Sequence, residues 1–201
     1  MFRWIRHVAP LGLTLAALAL VEPQAFAGSS AEEFIQTRQA QVTSLLHQGQ
    51  GTQRDKQVAA VLDGMIGYEE LAKRSLAAHW GDLSEAQHKE FTDLLRHLVQ
   101  RSYEKNMKNI LEYRVEYLGE EPAPEGVIVH TRASSAQKPE EEPITINYRL
   151  LPEDAWKVVD IVTEGSSLLN NYKNQFHRVI QKDGYEALVK RMKDKLAKGQ
   201  S

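Results

Sequence analysis

From Trp156 to Gly184 the chain runs from a strand with two apolar faces into an amphipathic helix, and that pairing restricts the fold more than any other stretch. Trp156, Val158, Val159, Ile161 and Val162 are aromatic or β-branched and fall on both strand faces. Gly165 breaks the run, and Ser166 or Ser167 is placed to cap the helix that follows. That helix carries Leu169, Tyr172, Phe176, Val179 and Ile180 at spacings of three and four and stops at Gly184. A strand that is apolar on both sides must be covered on both. The helix supplies one cover, so the rest of the chain has to supply the other.

The first half can do so, because it reads as helices. Ser30-Ala31-Glu32-Glu33 fits a capping box ahead of Phe34, Val42, Leu45 and Leu46, with Gly49 and Gly51 closing the helix. Val58, Val61, Leu62 and Met65 make the next one, up to Gly67. A third starts at Tyr68, turns Leu71, Leu76 and Trp80 inward, and ends at Gly81. Ser84-Glu85-Ala86-Gln87 is a second capping box. It opens the longest stripe in the chain: Phe91, Leu94, Leu95, Leu98, Ser102, Tyr103 and Met107.

Strands follow at about 113–118, 126–134, 143–151 and 155–163. Ile144, Ile146, Tyr148 and Leu150 alternate most cleanly, against Thr145, Asn147 and Arg149. The links are too short for crossover helices, so the economical topology is an antiparallel meander. The proline-flanked acidic stretch 137–143 reads as a solvated hairpin loop. A last helix, about 185–197, sets Tyr185, Leu188, Val189, Met192 and Leu196 opposite a lysine-rich face. Segregated helices and strands predict an α+β fold, with helices packed on a curved four-stranded antiparallel sheet around an apolar pocket.

The N-terminus stands apart. Arg3 and Arg6 precede an apolar run from Val8 to Val21 that is short for a bilayer span, and Ala25-Phe26-Ala27 is a small-x-small cleavage site. The expectation is a signal peptide over 1–27, cut after Ala27, a single domain over 28–201, and a periplasmic location. No cysteine is present, which excludes a disulfide framework and thiolate chemistry. The net charge of −2 offers no electrostatic footprint for nucleic acid.

Catalytic patterns are not evident. The seven histidines include no HExxH or similar paired spacing, so no metal site is expected. No nucleophile elbow, phosphate loop or dinucleotide fingerprint occurs, and no cofactor is implied. Asp160 and Glu164 share strand parity, yet four residues of strand separate them by about 13 Å, too far for a glycosidase pair. Asp160 reads as a structural acceptor at the strand–helix junction. The competing reading is an enzyme with Asp160 or His130 turned into a cone-shaped cavity.

Trp156-Lys157-Val158, Asp160, Glu164-Gly165, Ser167-Leu168, Asn171-Tyr172 and Gln175-Phe176 together resemble the signature of the MlaC, or toluene-tolerance, family. Tyr68-Glu69-Glu70-Leu71-Ala72, then Trp80, Ser84, Phe91, Leu95 and Tyr103, extend the resemblance, which covers about residues 31–198. It implies a periplasmic carrier that binds phospholipid and is not itself an enzyme. The implied partners are an inner-membrane ABC transporter complex and an outer-membrane lipoprotein–porin complex, and the implied role is maintenance of outer-membrane lipid asymmetry. Three positions depart from the family pattern: Ala77 where glycine is usual, Val159 where tyrosine is usual, and Ser166 within Gly-Val-Ser. The second makes a polycyclic lipid such as a hopanoid the alternative ligand.

Such a carrier needs a dry lining. Each methylene kept from water is worth about 0.8 kcal/mol, so two C16 chains represent roughly 20 kcal/mol. Ile144, Ile146, Tyr148, Leu150, Val159 and Ile161 can form one wall and Leu98, Tyr103, Leu169, Tyr172 and Phe176 the other. Periodicity alone favours a solid core. The resemblance is what points to a hollow one.

Overall fold

The structure, a computed structural model, describes residues 29–198, and for 107–109 no side chains. The expected leader, its cleavage site and the Met107 side chain lie outside the described residues. The element order is α1 (Ala31–His47), α2 (Thr52–Met65), α3 (Tyr68–Leu76), a 3-10 helix (Ala77–Asp82) and α4 (Glu85–Ile110). Then come β1 (Tyr113–Ala123), β2 (Gly126–Ser135), β3 (Ile144–Pro152), β4 (Trp156–Thr163), β5 (Ser166–Ser167), α5 (Leu168–Asp183) and α6 (Tyr185–Ala197). The sheet is an antiparallel meander in chain order. It has five strands rather than four. Glu164 and Gly165 both take positive φ, 48° and 75°, and make a two-residue hairpin turn that folds Ser166–Ser167 back onto Val162 and Thr163.

Both capping boxes form. Ser30 Oγ accepts from the Glu33 N–H while the Glu33 carboxylate accepts from the Ser30 N–H. At α4 the Gln87 amide oxygen accepts from the Ser84 N–H at 2.9 Å. The third helix ends earlier than its apolar spacing suggests, at Leu76, because Ala77 takes φ 50° and ψ −121° and the chain tightens into the 3-10 helix. That backbone region is one that glycine enters freely and alanine does not.

Two bulges disturb the sheet. One lies between Tyr117 and Glu120, where Gly119 takes φ 103°, and it carries β1 on to Ala123, five residues past its expected end. The other leaves Val159 unpaired, since Leu150 faces Val158 while Arg149 faces Asp160. Two apolar cores result. The larger joins α2, α3, α4, α5 and α6 around Leu62, Leu76, Phe91, Leu95, Phe176 and Met192. The smaller fastens Ala31, Phe34 and Ile35 of α1 onto Val129, Leu150 and Val158 of the sheet.

Candidate functional site

The apolar face of β3 shows how the two cores relate. Leu150, opposite Val127 and Val158, is fully buried under α1. Moving along the strand, Tyr148, Ile146 and Ile144 are only half-buried. Ile144 and Ile146, with Tyr113 and Val115 of β1, belong to neither core. Their cross-strand neighbours on β2 are small, Ala133 opposite Ile144 and Thr131 opposite Ile146. The Thr131 hydroxyl is spent on the Ile146 carbonyl at 2.6 Å. One end of the sheet thus belongs to a packed core, while at the other Ile144 and Ile146 stay half-buried beside the buried Thr131 and Ala133, outside both cores among the described residues.

The helical side shows the same contrast. Phe176 is buried, stacked on Tyr172 at 5.4 Å and edge-on to Phe91 at 5.5 Å. Leu98, Tyr103, Leu169 and Tyr172 pack at the margin of the larger core and remain half-buried. Tyr103 on α4 and Tyr117 on β1 both respond to Tyr148 on β3. Burial raises the phenol of each, and the neighbouring Tyr148 adds to the rise. Tyr148 itself is pushed up to about 12 by burial. Tyr117 and Tyr148 border the smaller core and Tyr103 the larger. Ile161 lies opposite Tyr148 on the same face. Val159 goes elsewhere: it is buried beside Gly67, where an added methyl would sit 3.3 Å from its Cγ1. The replacement of the family's tyrosine there bears first on the α2–α3 junction.

Asp160 is spent on architecture. Its two carboxylate oxygens accept from the Ser167 hydroxyl at 2.7 Å and the Leu169 N–H at 2.9 Å, which pins the start of α5 to β4. Ser167 Oγ in turn accepts from the Asn170 N–H at 3.0 Å. His130 sits on the sheet face opposite Val129 and Thr131, with Nδ1 3.1 Å from the Asn147 amide oxygen and Nε2 3.2 Å from Glu121. Asp160 and His130 are thus engaged separately. No group of three metal-ligating residues occurs among the described residues. One contact escaped the sequence: His79 Nε2 lies 2.9 Å from His177 Nδ1, across 98 residues of chain.

Two surface concavities complete the picture. A cleft of about 380 Å³ lies at the start of α3, lined by Glu69, Glu70, Lys73, Glu153 and Lys157 beside Ile66 to Tyr68. Its mixed charges suit no apolar ligand. A groove of about 210 Å³ runs between α4, α5 and α6 and contains Leu98, Tyr172 and Phe176, three of the expected wall residues. Its floor continues with Val179, Leu188 and Met192, and Arg101, Lys105, Arg191 and Lys195 stand around it.

A family model described as the MlaC protein matches residues 36–194. The chain belongs to the MlaC family. Among solved structures, this MlaC-family chain is similar to the phospholipid-binding protein from Ralstonia solanacearum, determined in complex with a phospholipid. The two share 22% identity with a TM-score of 0.74 over 86% of this chain and 100% of that one, a likeness of fold. No curated protein matches the chain.

Proposed function

We propose that this MlaC-family chain is a periplasmic phospholipid carrier, holding acyl chains between the half-covered sheet face and α4–α5 and passing lipid between membrane-bound complexes. The observation that carries the reading is the end of the sheet that, among the described residues, belongs to neither core: Ile144, Ile146, Tyr113 and Val115. A dry, partly covered face is what a hydrocarbon tail requires and what a self-sufficient core avoids. The complex in which the Ralstonia protein was determined supports phospholipid as the ligand class.

The wider role follows from the family: exchange with an inner-membrane ABC transporter complex and an outer-membrane lipoprotein–porin complex, in service of outer-membrane lipid asymmetry. Export through the leader over 1–27 belongs to the same proposal. Native mass spectrometry of the purified protein, before and after organic extraction, tests the first step. A stoichiometric phospholipid is expected. Ile146→Trp, which fills the uncovered face, should lower occupancy while the unfolding midpoint stays near that of the parent. Repeated absence of lipid, with no uptake from vesicles, overturns the proposal. Equal occupancy in the variant moves the lining away from β3.

A further inference from the structure

The groove between α4, α5 and α6 is charged in one sense only. Arg101, Lys105, Arg191 and Lys195 line it, and no carboxylate does. Arg191 is paired with Asp183 at 2.5 Å, and the Arg101 guanidinium donates to the Leu196 carbonyl near the end of α6. Lys105 and Lys195 have no such engagement with any described residue, and both are exposed. Beneath them the floor is apolar, and it shares Leu98, Tyr172 and Phe176 with the wall proposed for the acyl chains. Cationic rim and apolar floor together match an anionic amphiphile. A zwitterionic headgroup would set its own ammonium beside Lys105 and Lys195, with no carboxylate among the lining residues to receive it.

We infer that this groove receives the phosphate of a phospholipid of net negative charge, with Lys105 and Lys195 as its principal contacts, so that the protein selects anionic over zwitterionic lipids. The inference rests on the carrier reading, since it names which lipids are carried. A lysine near an anionic lipid surface contributes about five-fold in affinity at moderate salt, so the pair supplies roughly 25-fold. The effect must shrink as salt shortens the screening length to about 3 Å at 1 M.

The test loads delipidated full-length protein from vesicles of equal phosphatidylglycerol and phosphatidylcholine and measures the ratio of extracted lipids by mass spectrometry. The ratio does not depend on how much lipid each protein holds. Wild-type protein is expected to enrich phosphatidylglycerol more than ten-fold at low salt. The enrichment should fall towards parity in 1 M salt and in the Lys105→Gln, Lys195→Gln double variant. Wild-type loading that mirrors the vesicles, or a double variant that keeps the enrichment, overturns the inference while leaving carriage intact. No lipid in any arm overturns the carrier reading and this inference with it. A titration with inorganic phosphate alone separates the two sources of the anion. Binding of phosphate by wild type but not by the double variant, without lipid enrichment, assigns the groove to a free anion and overturns the lipid assignment.

Discussion

Replacing Asp160 tests how firmly α5 is pinned to β4. Asp160 is 6% exposed, and its carboxylate accepts two hydrogen bonds, from the Ser167 hydroxyl and the Leu169 N–H. A hydrogen bond to a charged partner contributes about 1.5–3 kcal/mol. Asp160→Ala removes both and leaves the Leu169 N–H orphaned at a helix start, whereas the Ser167 hydroxyl can rotate towards water. The negative charge at the N-terminus of α5 contributes a further 0.3–1 kcal/mol or so. The alanine variant should therefore lose about 2–4 kcal/mol, a large share of the 5–15 kcal/mol typical of a domain. Asp160→Asn keeps one acceptor oxygen and turns its NH2 towards the second donor, so about 2 kcal/mol is expected. Urea unfolding of delipidated protein, followed by circular dichroism, reads both values from the midpoint and slope. Ser167→Ala should cost less than Asp160→Ala, and the double variant should fall short of the sum, because the two share one bond. An Asp160→Ala variant within 0.5 kcal/mol of wild type refutes the capping argument. An Asp160→Asn variant of unchanged stability that has lost a turnover would instead favour the enzyme reading.

Ala77→Gly should stabilise the protein by about 1 kcal/mol, because the residue already sits at φ 50°, ψ −121°; a lower unfolding midpoint would show that the corner is not strained. Gly126→Ala should cost 3 kcal/mol or more, as the new Cβ would lie 2.0 Å from the Leu150 carbonyl oxygen at φ 96°, and soluble protein with an unchanged midpoint would contradict that approach. Stability should fall above pH 10. The Tyr148 phenol is neutral in the fold up to about 12 but ionises near 10 in the unfolded chain, so the unfolded state binds fewer protons across that window. The slope from Tyr148 alone is up to about 1.4 kcal/mol per pH unit. Absorbance titration of wild type against Tyr148→Phe measures it, and identical curves would refute the assignment.

What was legible in the sequence was local. The capping boxes at Ser30 and Ser84 each lie within four residues and declare themselves by residue type. The alternation from Ile144 to Leu150 marks a strand with one apolar face, and Asp160 beside a Gly-Ser-Ser turn marks a junction needing an acceptor. The misses each come from geometry that residue type does not encode. Gly119 reads as a strand end, yet a glycine at φ 103° can equally make a bulge and let the strand continue through Ala123. The unpaired Val159 changes neighbours because of a register shift one strand away, which no pattern within β4 reveals. Ala77 hid the early end of α3, since alanine normally propagates a helix. The His79–His177 contact and the cation-lined groove join segments far apart in the chain.

The distinction between a filled and an unfilled interior was the hardest to read, and the reason is physical. Leu150 and Ile146 have the same strand parity and comparable size, so periodicity assigns them the same environment. What separates them is the placement of α1, whose Ala31, Phe34 and Ile35 reach the Leu150 end of the sheet and leave Ile144 and Ile146 outside both cores among the described residues. A self-contained core would bring a bulky side chain over Ile144 and Ile146, because each half-exposed aliphatic forgoes part of the 1.5–3 kcal/mol that full burial provides. Instead the cross-strand neighbours there are Ala133 and Thr131, while Tyr117 and Tyr148 border the smaller core and Tyr103 the larger. Tyr117 spends its hydroxyl on the Gln39 amide oxygen at 2.6 Å, while Tyr103 and Tyr148 have no described partner. Apolar walls interrupted by two hydroxyl groups are poor filling for a core, yet they suit a ligand whose chains are hydrocarbon and whose ester groups accept hydrogen bonds.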